Sequence, residues 1–207
     1  GERQAALRQW PFYWRAHALA GYSAAGLPSM RREVERHFRN AQRLAQVNPQ
    51  ISWNAGLIFL PRSPETAVNF LERALALSSR PESDLREILD IATRRGVDIF
   101  ELAPLALSNP DQWRVMWSFL ISHHFPQPVL QRWLDEAMEQ WLDDPVQRIH
   151  IVDALIENGC AQQVLASFER RVPGTKAEHY WQACAMENAG NFEAAAHKHR
   201  RLWQASS

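Results

Sequence analysis

An apolar stripe recurs along this chain at intervals of about thirty-three residues. Val34, Phe38, Ala41 and Leu44 are spaced four, three and three, and a shift of 33 lands on Ala67, Leu71, Ala74 and Leu77. The spacing returns at Ala195, His199, Leu202 and Ala205, and more weakly at Leu130, Leu134 and Ala137 and at Ala161, Leu165 and Phe168. Side chains three and four apart share one face of an α-helix, so each stripe marks a helix with one face to bury. A helix around residues 98–107 fills the remaining interval, which gives six second helices 31 to 34 residues apart. First helices precede them at about residues 12–25, 49–60, 83–95, 111–124, 146–158 and 176–189. One hairpin of this size cannot cover its own apolar face, so a repeat of this length implies hairpins that stack on one another.

The punctuation agrees with that reading. Glycine and proline sit mostly between the stripes, and no stretch alternates strictly between apolar and polar as a half-buried strand would. Ser63-Pro64, Asn109-Pro110 and Asp144-Pro145 each place a capping side chain before a proline at the first helical position. Gly26, Gly96, Gly159 and Gly190 follow helical runs and suit a left-handed closing residue. The short connections predict antiparallel neighbours.

Charge and composition exclude several functions. The 23 basic and 23 acidic side chains cancel, which removes the long-range attraction that neutralises phosphates. The nearest thing to a basic stripe is Arg31, Arg32, Arg36, Arg39 and Arg43, which Glu33 and Glu35 interrupt as on a solvated helix face. Nucleic acid is therefore not an expected partner. No apolar run approaches the roughly 18 to 20 residues that cross a bilayer, and no signal-peptide pattern opens the chain. The first residues, Gly1-Glu2-Arg3, lack a methionine and suggest a processed product or a piece of a longer protein. Cys160 and Cys184 are too few for a disulfide framework. Their spacing leaves open one bridge or two buried thiols.

Catalytic and metal chemistry find little support. His197 and His199 point about 200 degrees apart on a helix, and His179 and Cys184, five apart, are also badly placed to share an ion. His123-His124 falls at a helix end, where imidazole suits the carboxyl-terminal dipole. The carboxylate pairs Asp84 with Glu87, Asp135 with Glu139, and Asp143 with Asp144 read as solvated faces, not as an acid and base aimed into one pocket. No phosphate loop, nucleophile elbow or His-Glu-x-x-His pair occurs. We expect no enzyme, no metal and no cofactor. The nine tryptophans are Trp10, Trp14, Trp53, Trp113, Trp117, Trp133, Trp141, Trp181 and Trp203. They are expected mainly between hairpins, and any left exposed would anchor a peptide or stack on a sugar ring.

The last repeat, from Glu178 to Ala195, resembles a tetratricopeptide repeat. Ala183 stands at the family's small first-helix position, Gly190 at its turn, Phe192 at its aromatic and Ala195 at its small second-helix position. Ile51 through Leu77 carries Ala55, Ala67 and Ala74 at the small positions, while repeats three to five depart from the pattern. The resemblance implies an all-α, right-handed superhelical solenoid of about six antiparallel helix hairpins. It would form one domain over residues 1–207, with repeats at about 12–48, 49–81, 82–109, 110–143, 144–173 and 174–207. It also implies a concave groove, lined by the first helices, that holds a segment of another protein. Carried over by position, that groove takes Tyr180, Cys184, Glu187 and Asn188 in the last repeat and Ser52, Gly56 and Phe59 in the second. Helical position adds Tyr13, His17, Gln112 and Met116. The opening Trp14-Arg15-Ala16-His17-Ala18-Leu19-Ala20-Gly21 and the scarcity of lysine resemble, more loosely, the helical repeats appended to bacterial membrane proteins that polymerise or ligate envelope polysaccharides. That likeness implies the alternative of an accessory domain handling a glycan or a partner. The compartment implied is either the periplasmic side of a membrane protein or the cytoplasm.

Overall fold

A computed structural model describes residues 13–26, 28–107, 109–140, 144–170 and 175–204. The expectations for Trp10, Trp141, Asp143 and Ala205 lie outside the described residues. Within them the chain is all-α, with twelve α-helices and no strand. The first six helices are α1 (Trp14–Ala24), α2 (Arg31–Leu44), α3 (Pro49–Phe59), α4 (Pro64–Ala76), α5 (Pro81–Arg94) and α6 (Ala103–Leu107). The others are α7 (Pro110–Ser122), α8 (Gln127–Gln140), α9 (Pro145–Glu157), α10 (Ala161–Arg170), α11 (Lys176–Asn188) and α12 (Phe192–Gln204). The odd-numbered members are the first helices, and each starts within two residues of its expected position. They group into two compact units that divide between Leu105 and Ala106. Within each unit the substantial helix contacts join elements that are neighbours or next neighbours along the chain, such as α1 with α2, α3 with α4, and α9 with both α10 and α11.

The two clearest stripes are buried at their first three positions, while the fourth, Leu44 and Leu77, is exposed. Val34, Phe38 and Ala41 of α2 and Ala67, Leu71 and Ala74 of α4 lie in the core of the first unit. Both helices press their knob into a glycine of the preceding first helix. A β-carbon on Gly21 would lie 2.8 Å from the Phe38 ring, and one on Gly56 would lie 2.5 Å from Leu71 Cγ. Gly21 and Gly56 are 35 apart and Phe38 and Leu71 are 33 apart, so the echo in the sequence is an echo in packing. Tyr22, Phe38, Phe70 and Phe59 carry aromatic contact through these two hairpins, with Phe59 stacked on Phe70 at 5.8 Å and 3°. In the second unit Trp113 and Trp117 stack at 5.4 Å and 11°, and both are buried, as is Trp133. These three tryptophans are core.

Helix ends repeat too, with corrections. Asn109 Oδ1 accepts from the Gln112 amide at 2.9 Å, as a cap should. Ser63 caps nothing, because its hydroxyl donates to Thr66 Oγ1 at 2.9 Å and accepts from Arg31. Thr175 and Glu178 form a full capping box on α11. Gly96, Gly159 and Gly190 take positive φ, but Gly26 does not, since α1 ends through right-handed Ala25. The fourth left-handed closure is His124, at φ 54°. At all four the next residue's amide reaches back five positions, as Phe125 N–H does to the Leu120 carbonyl at 3.1 Å, and the closing residue reaches back three. This is the Schellman geometry. His123 adds a ring contact to the same end, with Nδ1 3.0 Å from the Phe119 carbonyl oxygen. Because a β-carbon in the left-handed region costs about 1 kcal/mol, His124→Gly is expected to raise stability by roughly 0.5–1 kcal/mol. A higher urea midpoint at unchanged slope would register it.

The helix expected over residues 98–107 is broken. A 3-10 turn spans Ile99–Leu102, capped by Asp98 Oδ1 accepting from the Phe100 amide at 3.0 Å, and only then does α6 begin. Pro104 has no amide to bond back to the carbonyl of residue 100, which disfavours a regular α-helix running on from before it.

Candidate partner-binding face

The first helices decide which expected groove residues a partner could touch. Tyr180 is 49% exposed, Tyr13 is exposed, and so are Glu187 and Asn188, while His17 and Cys184 are half-buried. Ser52, Phe59, Gln112 and Met116 are buried, which removes them from any groove. Ser52 accepts from Gln42 Nε2 at 2.7 Å, Phe59 is 3% exposed beneath Phe70, and Met116 is fully enclosed. One residue along a helix turns the side chain about 100 degrees, so a mapping displaced by one position exchanges groove for core. The outward neighbours are Trp53 in α3 and Arg114 in α7, both half-buried.

In the first unit these helices frame a cleft of ≈450 Å³. Gln50 and Trp53 of α3 form one wall and Asp84 and Glu87 of α5 the other, with Leu77 and Arg80 at the end. Local structure sets the α5 wall. Ser78 Oγ donates to Asp84 Oδ2 at 2.5 Å and accepts from the Arg80 amide at 2.8 Å, which fixes the turn entering α5. Trp53 falls in the second repeat at the place that Trp181 takes in the last. Asp84 and Glu87 were read only as a solvated pair.

In the second unit three first helices share a polar face. Arg114 of α7 reaches Asp153 at 3.6 Å and Glu157 at 3.3 Å, both on α9. Asp153 bears in turn on Cys184 of α11, which also meets Tyr180 and Glu187. Burial raises the Cys184 thiol, only partly offset by the Tyr180 phenol donating to it, so the sulfur stays protonated at neutral pH. The same hydrogen bond to Cys184 is the main reason that the Tyr180 phenol is raised. Cys160 and Cys184 are both free thiols. The i, i+4 spacing puts Asp153 and Glu157 on one face of α9, but nothing in the sequence pairs them with Arg114.

His17 faces its own hairpin. Its Nδ1 lies 3.3 Å from Nδ1 of His37 on α2, whose Nε2 is 3.7 Å from Glu33. Burial lowers the His37 pKa, with repulsion from His17 and Arg36 adding to it and Glu33 opposing it. The unfolded chain therefore takes up the proton first. The stability tied to His37 is whole above the ordinary imidazole value of 6.5 and is lost as pH falls from there through the folded value. Melts between about pH 7.5 and pH 5 should show an acid-side loss that shrinks in His37→Gln.

Among the described residues no three His, Cys, Asp or Glu side chains gather to hold a metal ion, and no helix is long and apolar enough to cross a membrane. No protein-family model matches the chain, and no curated protein matches it.

Proposed function

We propose that this chain is a non-enzymatic scaffold, a tetratricopeptide-like solenoid of helical hairpins whose first-helix face binds a segment of another protein. The supporting observation is the cleft between α3 and α5. It offers one aromatic wall at Trp53, with the Gln50 carboxamide beside it and the carboxylates of Asp84 and Glu87 opposite, polar groups that can fix the register of an extended peptide. The repeated glycine hole, the recurring left-handed helix closures and the substantial helix contacts between neighbours and next neighbours along the chain support the solenoid part of the reading.

Panning a displayed library of random peptides against the chain tests it. Enriched peptides should lose at least about tenfold in affinity to Trp53→Ala, with the melting temperature nearly unchanged because Trp53 is only half-buried. Failure to enrich any peptide, or binding indifferent to Trp53 and Glu87, would reject the assignment. A half-buried indole beside carboxylates is also the surface on which a sugar ring stacks, which keeps the accessory glycan-handling domain as the second reading. Oligosaccharides that shift the indole emission where peptides do not would favour it.

A further inference from the structure

The second helices carry a cleft of another character. It measures ≈650 Å³ and lies between α4 and the 3-10 turn leading into α6. Val68, Phe100 and Pro104 give it an apolar lining, and Glu65, Glu72 and Glu101 stand around it. Glu65, Val68 and Glu72 fall three and four apart along α4, so one helix face supplies both lining and charge. No lysine or arginine lines this cleft, and none of the three carboxylates takes part in an ion pair among the described residues. An apolar hollow ringed by three negative charges fits an aromatic side chain accompanied by cations.

The second unit displays such a surface. On α12, Phe192, Ala196, Arg200 and Trp203 are spaced four, four and three and fall on one stripe. That stripe points away from the face that buries Ala195 and half-buries Lys198 and Leu202. Phe192 is 67% and Trp203 81% exposed, the most open aromatic rings among the described residues. Arg200, Arg201 and His197 flank them against a single acid, Glu193. Within its own hairpin α12 is held through Ala195 in the core and Lys198 donating to Gln182.

We propose that the acidic cleft of one chain receives the α12 stripe of a second copy, with Trp203 in the hollow and Arg200 and Arg201 among the glutamates. The two surfaces differ, so the contact is heterologous, and each chain keeps one cleft and one stripe open for the next. Association then runs head to tail. It is driven by burial of two large aromatics and steered by opposite charge, which makes it sensitive to salt.

Sedimentation equilibrium of the intact chain from about 1 to about 200 µM, at about 0.05 and about 0.5 M salt, tests this. The mass should rise above 23.9 kDa with concentration and fall back with salt. A cleft variant, Glu65→Lys with Glu72→Lys and Glu101→Lys, and a stripe variant, Phe192→Asp with Trp203→Asp, should each stay monomeric alone. Mixed, they should form a 1:1 complex and stop there, because only one intact cleft and one intact stripe remain. Circular dichroism checks that both stay helical. If the lysine variant does not, Glu→Gln at the same three positions replaces it and should weaken association roughly tenfold. A mass of one chain at every concentration, association untouched by either variant, or a mixture that fails to pair would overturn the proposal.

Discussion

Replacing Phe59 with alanine is expected to cost about 3–5 kcal/mol of stability. The ring is buried at the foot of α3, stacked on Phe70 at 5.8 Å, and its removal leaves a hollow that α4 cannot fill without leaving Leu71 and Gly56 behind. A change of that size would lower the melting temperature by roughly 10 °C or more for a unit of this size. Tyr180→Ala, at a ring 49% exposed, should stay within about 1 kcal/mol. The pair distinguishes the two kinds of aromatic that the first-helix pattern had grouped together. Comparable losses in both variants, read from urea midpoints, would place Tyr180 in a core and undo the face described for the second unit.

Gly56→Ala is the second large effect, and its sign is informative. Helix propensity alone favours alanine over glycine in the interior of α3 by about 1 kcal/mol. The new methyl would stand 2.5 Å from both Cγ and Cδ2 of Leu71, a fully buried side chain with no free end to swing aside. Overpacking of this kind costs about 1–3 kcal/mol and outweighs the propensity gain. Gly26→Ala is the control, since a β-carbon there meets nothing within 4 Å and φ is not left-handed. It should be neutral or slightly stabilising. A Gly56→Ala protein more stable than the parent would mean that α3 and α4 are further apart than described.

The repeat and the helices were legible because they depend on local rules: spacing by three and four, proline at a first turn, glycine at a close. Where those rules failed, tertiary contact had intervened. Ser63 reads as a cap, but its hydroxyl is committed to Arg31 and Thr66, and Arg31 lies thirty-two residues earlier. Pro104 was visible in the sequence, yet its consequence, a 3-10 turn and a short α6, was not drawn from it. The face was harder. Periodicity tells which residues share a side of a helix; it does not tell which side meets a neighbour when two hairpins cover the same helix. Ser52, Phe59, Gln112 and Met116 were lost to that ambiguity, whereas Tyr180, Glu187 and Asn188 on α11 are exposed. The partners across helices, Arg114 with Asp153 and Glu157, needed a structure because they lie about forty residues apart.

That the substantial helix contacts among the described residues join near neighbours in sequence governs how quickly these units form and how they come apart. Closing a short loop between adjacent helices costs little entropy, so native contacts of low sequence separation assemble rapidly, on the microsecond to millisecond scale usual for helical proteins. The converse holds under load. Tension applied at the ends of a unit would peel hairpins away singly, each release lengthening the thread by some thirty residues while the hairpins behind it keep their shape.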